Sequence, residues 1–429
     1  MRLTYQYRIE PNPEQQAVMS DWLELLRRHR NWVLGNRYDW LHRTRSQIDH
    51  CSLISEPIGE IPELKPTFEN ESAQLKEAKK LFPAYKDIYH EVQQENLKRV
   101  DKAWSRWLVP DKNGNRGGRP KFKKKGELRS FTFSRVNHPK AACFLEGSTL
   151  RIPKLGVIPV ILHRPIPQGF EIKTATIVHK ADGWYVSLSL LDDSVPEPLP
   201  IDVETRNCAS LQSVVGVDVG LKEFLTTSDG QTVPIQQHYR RTQSHLARQQ
   251  RQLSRKEKGS NRYRKQQNKV ARIHQRIARK REDFHYKTAY QLTRKYDLIA
   301  VEDLKVRNLA RNSKLAKSIY DAAWSAFINI LEAVAVKCGS LVVKVNPHNT
   351  SQNCSGCGVK VPKTLSVRTH ECPSCGLVLD RDENAAVNIL DKALQAVGHI
   401  VTARGGQGDT QPEKRETSTG WEGVQLCLF

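Results

Sequence analysis

The residues with the most chemistry in this chain lie between 354 and 384. Cys354-Ser-Gly-Cys357-Gly and Cys372-Pro-Ser-Cys375-Gly are two Cys-x-x-Cys turns with fourteen residues between them. Four-thiolate zinc sites use this spacing, and Gly356, Gly358 and Gly376 permit the tight turn in which backbone N–H groups point at sulfur. Four cysteines fill a tetrahedral ion, so His370 is not needed as a ligand and no position stays open for a reacting water. The expected ion is therefore a structural Zn²⁺. A redox dithiol uses one such pair, and two pairs at this spacing argue against it.

Directly after the second pair comes Asp380-Arg-Asp382-Glu-Asn384-Ala-Ala. These acids open a helix, where the dipole favours negative charge, and one of them can simply cap it. Two further candidates lie far upstream. Asp218 sits among valines in Gly216-Val-Asp218-Val-Gly220, where a carboxylate without a partner is costly. Glu302 and Asp303 end the apolar run 298–301. Strand alternation puts them on opposite faces, Glu302 with Leu298 and Ala300, Asp303 with Ile299 and Val301. The pattern leaves open which of the two joins Asp218. A strand acid, a strand-end acid and a helix-start acid, in that order, form the pattern of the RNase H-type fold. There, carboxylates bridging two Mg²⁺ ions serve phosphodiester hydrolysis.

The 429 residues include 68 Lys and Arg against 46 Asp and Glu, a net charge of +22. Such an excess favours a nucleic-acid partner, because each neutralised phosphate releases counterions. It is also concentrated. Residues 239–281 hold sixteen Lys or Arg and one acid, Glu257. A helix this cationic repels itself unless a polyanion lies alongside, so Arg251, Arg255, Lys265, Arg272 and Arg276 are expected contacts. Residues 111–125 read as a flexible basic loop, with Arg119, Lys121, Lys123 and Lys124 as expected phosphate contacts. No run approaches the ~18 apolar residues of a membrane span. Met1 to Arg8 lacks the apolar core of a signal peptide. Cys51, Cys143, Cys208, Cys338 and Cys427 are scattered free thiols, the usage of a reducing cytoplasm.

These residues need elements to position them. Residues 1–10 alternate as a strand, and a helix follows from Pro13 with Asn12 as its cap. A second helical run covers 71–108 with a break near Pro83. Strands at 131–133, 150–152, 156–162, 173–179 and 184–190 suggest a small β-barrel whose first strand is the N-terminus, the helices being an insertion. Residues 195–201 read as a linker. Strands at 213–218 and 222–227 open a new domain, followed by the basic helices, broken at Gly259-Ser260. A strand at 296–304, a helix at 322–337, a strand at 341–345 and a helix from 384 to about 396 complete it. Beyond 398 the composition predicts disorder.

Taken together, Gly216-Val-Asp218-Val-Gly220, Tyr296-Asp-Leu-Ile-Ala-Val-Glu302-Asp-Leu, Thr350-Ser-Gln-Asn-Cys354-Ser-Gly-Cys357-Gly and Asp380-Arg-Asp382-Glu-Asn-Ala-Ala-Val-Asn-Ile resemble the TnpB family. These are the RNA-guided nucleases of small insertion-sequence transposons, related more distantly to the miniature type V CRISPR effectors. Gly118-Arg-Pro-Lys-Phe-Lys123 and Gly183-Trp-Tyr-Val also fit, and the similarity covers about residues 1 to 395. The resemblance implies a multidomain α+β fold. A wedge-type β-barrel (1–11 and 126–200) carries a helical recognition insert (12–125). An RNase H-like (RuvC) α/β nuclease domain (208–346 and 379–396) contains a four-cysteine zinc finger that binds target nucleic acid (347–378), and a disordered tail follows (397–429). It implies Asp218, Glu302 and Asp382 as the catalytic acids holding Mg²⁺, with Asp380 in support. The implied partners are a transposon-derived guide RNA and double-stranded DNA bearing a short adjacent motif. One alternative is an RNA-guided regulator that binds without cutting, against which the intact acids count. The other is a transposase performing strand transfer, which needs no RNA.

Overall fold

The structure, a computed structural model, describes residues 2–45, 65–195, 211–364 and 367–396. The chain divides near residue 197 into two compact units. The expected tail from 397, and the expected linker beyond Val195, lie outside the described residues.

In the first unit, β1 (Arg2–Ile9) buries Tyr5, Tyr7 and Ile9 by simple alternation. Helix α1 (Pro13–Arg45) starts where expected. Asn12 Oδ1 accepts the Gln15 N–H at 2.8 Å and Gln15 Oε1 accepts the Asn12 N–H at 3.0 Å, a reciprocal cap. Helices α2 (Phe68–Leu81) and α3 (His90–Leu108) follow, separated by a tight turn at Pro83–Asp87. The break expected at Pro83 is therefore present. Arg37 of α1 is buried and joins all three helices, through Glu71 at 2.6 and 2.7 Å and Asp101 at 2.9 Å.

Strands β2 (Ser130–Phe133), β3 (Phe144–Glu146), β4 (Thr149–Ile152), β5 (Gly156–Ile161), β6 (Glu171–Lys180) and β7 (Gly183–Leu191) complete a seven-stranded sheet. Its order is β2-β6-β7-β1-β5-β4-β3, so the N-terminal strand lies between β7 and β5, antiparallel to both. The sheet curls. Just past β2, Val136 bridges Cys143, just before β3. The Asn137 side chain donates to Leu145 O at 3.0 Å and accepts the Leu145 N–H at 2.7 Å. Strand β3, which the sequence reading omits, is one of the two edges tied together in this way.

The basic loop 111–125 has no regular structure, but the expectation of a flexible loop does not hold. Gly117 N–H donates to Arg106 O at 2.6 Å, an approach that leaves a Cβ only 3.0 Å from that oxygen. Asn31 brackets the Lys123 backbone with two bonds of 2.9 Å. Arg119 lies over the Tyr38 ring at 4.5 Å and near Trp107 at 5.7 Å. Aromatic and hydrogen-bonding partners on α1 and α3 hold a segment whose glycines and cations read as loose.

The second unit contains β8 (Val214–Val219), β9 (Glu223–Thr227), β10 (Thr232–Pro234), α4 (His238–Ser254), α5 (Asn261–Lys295), β11 (Leu298–Glu302), α6 (Val306–Leu309), α7 (Ser313–Ala322), α8 (Trp324–Cys338), β12 (Leu341–Val345), β13 (Thr369–Glu371), β14 (Val378–Asp380) and α9 (Arg381–Ala396). Five strands form a sheet of order β10-β9-β8-β11-β12. β9 runs antiparallel to β8 and β10, while β11 runs parallel to β8 and β12. One face packs Val215, Val217, Ile299 and Val301 against Leu292 of α5 and Phe327 and Leu331 of α8. The other packs Leu298, Ala300 and Leu341 against Ile389 and Ala393 of α9. The stretch Ser313–Cys338 is long and apolar enough for a membrane span by length and composition. Against that reading, Ala323 breaks it in a left-handed conformation and α8 buries Phe327, Leu331 and Val334 in this core.

Candidate active site and cysteine knuckle

Helix α9 reaches β8 at a glycine. A Cβ on Gly216 would stand 1.9 Å from Ala386 O and 2.9 Å from Leu390 Cβ, so only glycine admits this approach. The contact seats the start of α9 above the end of β8. Asp218 lies two residues on from Gly216, on the same face. Asp382 lies in the first turn of α9, its Oδ2 4.0 Å from the position a Gly220 Cβ would take. Asp380 caps that turn, its Oδ1 accepting the Asp382 N–H at 2.8 Å. Glu302 closes β11, the parallel neighbour of β8. Because Leu298 and Ala300 face α9, Glu302 shares the side of Asp218, and exposed Asp303 takes the opposite parity.

Burial raises the Asp218 carboxyl well above its usual range, and Glu302 and Asp382 raise it further, against the pull of Arg381. Burial also raises Glu302, opposed by the Thr350 hydroxyl and Lys392. Acids that repel one another in a desolvated place are relieved by a cation, so the donor set fits a divalent ion. The three carboxylates are not drawn into one tight group. Among the described residues, only the four cysteines bring three or more ligand atoms within 4.8 Å of one another. A cavity of about 190 Å³ beside Glu302 and Asp303 is also lined by Trp324 and Lys344.

Thr350 links Glu302 to the cysteines. Its Oγ1 donates to Glu302 Oε1 at 2.5 Å. Asn388 Nδ2 donates to Thr350 O and Asn353 O, each at 2.8 Å. Asn384 donates to Asn353 O at 2.8 Å and accepts the Ser355 N–H at 2.9 Å. Two asparagines one turn apart on α9 thus clamp the segment leading into Cys354. The sequence reading carried Thr350 and Asn384 within its motifs but gave none of the three residues a role. Two Asn four apart in the otherwise apolar stretch 384–390 of the helix were the available signal, since Asn is a poor interior helix former.

Cys354 Sγ lies 3.5 Å from Cys375 Sγ, and Cys357 Sγ 3.5 Å from Cys372 Sγ. Each turn closes through a glycine with positive φ, as Gly358 N–H donates to Cys354 O at 2.8 Å and Gly376 N–H to Cys372 O at 2.9 Å. The Cys375 backbone N–H pointing at sulfur pulls the Cys372 thiol down to about 6. Sulfurs on a tetrahedral zinc stand about 3.8 Å apart at a Zn–S distance of about 2.3 Å. The four thiols can therefore hold a metal with little movement. His370, the rejected fifth candidate, is fully buried beside Lys363.

Residues 198–313 match the IS605 OrfB profile, described as "Probable transposase". Residues 324–389 match "Cas12f1-like, TNB domain". Residues 1–46 match "Helix-turn-helix domain", although the described residues among them, 2–45, form one strand and one unbroken helix. "TnpB-like protein L79" of Acanthamoeba polyphaga mimivirus is 35% identical over 122 residues, 27% of this chain and 23% of its own. A "Putative RNA-guided DNA endonuclease" of Streptomyces pristinaespiralis is 30% identical over 431 residues, 99% of this chain and 96% of its own. The chain belongs to the TnpB family. A further relative, "Putative RNA-guided DNA endonuclease InsQ" of Escherichia coli (strain K12), is 30% identical over 337 residues, 75% of this chain and 77% of its own. Among solved structures, the mini-RNA-guided endonuclease CRISPR-Cas phi3 is 12% identical, with 92% of each chain covered and a TM-score of 0.44.

The expected nucleic-acid contacts of this TnpB-family chain fall in two places. Helices α4 and α5 form a hairpin turning at Gly259, with Ser260 Oγ accepting the Tyr263 N–H at 3.1 Å. Gln266 is buried between them, donating to Gln249 Oε1 at 2.7 Å. Arg251, Arg255, Lys265, Arg272 and Arg276 are all exposed on this hairpin. In the first unit, Arg119, Lys121 and Lys124 are exposed, and Lys123 is half-buried.

Proposed function

We propose that this TnpB-family chain is an RNA-guided DNA endonuclease that hydrolyses target phosphodiesters at Asp218, Glu302 and Asp382. The observation that carries the reading is the convergence of β8, β11 and the first turn of α9, which brings Glu302 and Asp382 near enough to buried Asp218 to disfavour its charge. In this reading the three acids hold two Mg²⁺ ions, which when bound supply an activated water and charge stabilisation for the leaving oxygen. Asp218 and Glu302 are held on adjacent parallel strands, a rigid base for positioning a phosphate. Asp382 rides on α9, whose contact at Gly216 fixes its reach. Thr350 keeps Glu302 oriented, and Asp380 fixes the helix start. The four cysteines bind a structural Zn²⁺ and shape a finger that meets target nucleic acid.

The antiparallel β10-β9-β8 followed by parallel β11 and β12 supports assigning the second unit as an RNase H-like (RuvC) domain. The curled sheet serves as the wedge barrel and α1 to α3 as its recognition insert. A transposon-derived RNA is the guide, double-stranded DNA with a short adjacent motif is the target, and the cytoplasm is the working compartment. The exposed cations of α4, α5 and 111–125 contact phosphates.

The test is cleavage of a plasmid bearing a guide-matched target by the purified RNA–protein complex. Asp218→Ala and Glu302→Gln each abolish cutting, while Asp303→Asn retains it. Cutting by Asp218→Ala defeats the assignment, and RNA-dependent target binding without any nicking favours a guided binder.

A further inference from the structure

Four rings form a ladder on the first unit. His29 and Trp32 of α1 stack, with ring centroids 6.3 Å apart and planes at 16°. Tyr85 meets His29 edge-on at 5.8 Å, and Phe82 meets Tyr85 at 6.2 Å. His29 is buried and Tyr85 half-buried, but Trp32 is 50% and Phe82 59% exposed. Water-facing aromatic rings at both ends of one ladder are costly for a fold that lacks a partner there.

The charges beside the ladder point the same way. Lys79 of α2 is half-buried, lies in range of His29, and has no carboxylate partner among the described residues. Its charged neighbour is another cation, Lys154, held at the β4–β5 turn by donating to the Lys86 carbonyl. Burial and Lys154 together push the Lys79 amine below its usual value. A partly desolvated lysine facing a second lysine is relieved by an anion. His29 Nδ1 is buried with no hydrogen-bond partner. Burial takes the imidazole down to about 4, so it stays an uncharged stacking ring at neutral pH.

We propose that this ladder and its two lysines bind unpaired nucleotides of RNA, with bases stacking on the exposed Trp32 and Phe82 rings and a phosphate held by Lys79 and Lys154. Aromatic stacking beside a cation that takes the backbone is how unpaired RNA is commonly held. The choice of RNA over DNA rests on the proposed function, in which a guide RNA stays with the protein.

The test uses full-length protein freed of nucleic acid, titrated with an unstructured twelve-nucleotide oligouridine and the matching DNA oligomer. Trp32→Ala with Phe82→Ala weakens RNA binding about tenfold or more. Lys79→Gln lowers the slope of log affinity against log salt by about 0.7. In the wild-type protein, 4-thiouridine crosslinks map to peptides carrying Trp32 or Phe82. Unchanged RNA affinity in a ring variant that melts like wild type overturns the proposal, as do crosslinks confined elsewhere. A larger loss for DNA than for RNA reassigns the site to a DNA strand and overturns the RNA claim. Ring-dependent RNA binding in a protein that never cuts sinks the nuclease reading and leaves this one standing.

Discussion

The Thr350 hydroxyl reaches Glu302 across 48 residues of sequence, and it is the donor the structure gives that carboxylate. The side chain is 3% exposed, so the bond works in a desolvated place where water cannot substitute for it. Valine has the same shape without the donor. Thr350→Val should therefore keep the fold and lower the cleavage rate of the guide-loaded complex by about 10- to 100-fold, as loss of a hydrogen bond behind a metal-binding carboxylate does elsewhere. Thr350→Ser restores the donor and should recover most of the rate, an outcome a purely packing role would not produce. Wild-type rates in Thr350→Val would show that Glu302 needs no such support. That Asp218 and Glu302 lie at strand ends and Asp382 at a helix start was legible in the local pattern. Parity alone could not say which of Glu302 and Asp303 shares the face packed on α9. The bond from Thr350 stayed hidden because its partner is fixed by tertiary structure and not by any local period.

At the scale of elements, α5 and the α7–α8 junction are joined by a histidine. His285 is 1% exposed, stacks on Phe224 at 5.4 Å, and its Nε2 lies 3.0 Å from Ala322 O, next to the left-handed Ala323. Burial pushes its folded pKa down to about 4 from the ordinary 6.5. Above pH 6.5 neither folded nor unfolded chain protonates it, and its stability is fully present. As pH falls toward 4 the unfolded chain gains a proton that the folded chain refuses, so stability is lost. Between pH 7 and pH 5 that loss is about 2 kcal/mol. His285→Phe removes it, at the cost of one hydrogen bond near neutrality. Urea unfolding at the two pH values should show a smaller acid loss in the variant, and equal losses would rule out His285 as the sensitive group. The same region shows where elements escaped the sequence. Helix α7 was missed although Leu315, Ala316, Ile319 and Ala322 fall at helical spacing, because ten residues give that stripe barely two repeats. β3, β13 and β14 have three residues each, too short for alternation to register. The longer strands were read because both sheets bury whole faces.

For the whole molecule the governing quantity is the net charge of +22, more than folding can use. The α4–α5 hairpin shows why. Over residues 238–281 it buries Leu246, Gln266 and Ile277, and the exposed surface of that stretch is dominated by cations. Self-repulsion along such a hairpin is tolerated when phosphates lie against it, and binding then releases counterions. Arg251, Arg255, Lys265 and Arg276 point to solvent, so replacing all four by Gln should leave melting unchanged or slightly raised, because like charges are removed. RNA affinity should fall, and the slope of log affinity against log salt should shrink by about 3, at roughly 0.7 to 0.9 per lost phosphate contact. A loss of affinity with an unchanged salt slope would mean the hairpin acts by shape and not by charge. An unchanged affinity would move the nucleic acid off this surface and leave the loop at 111–125, pinned by Asn31 and stacked through Arg119, as the main electrostatic contact. The two outcomes separate cleanly because the loop belongs to the first unit and the hairpin to the second, so each can be neutralised while the other keeps its charge.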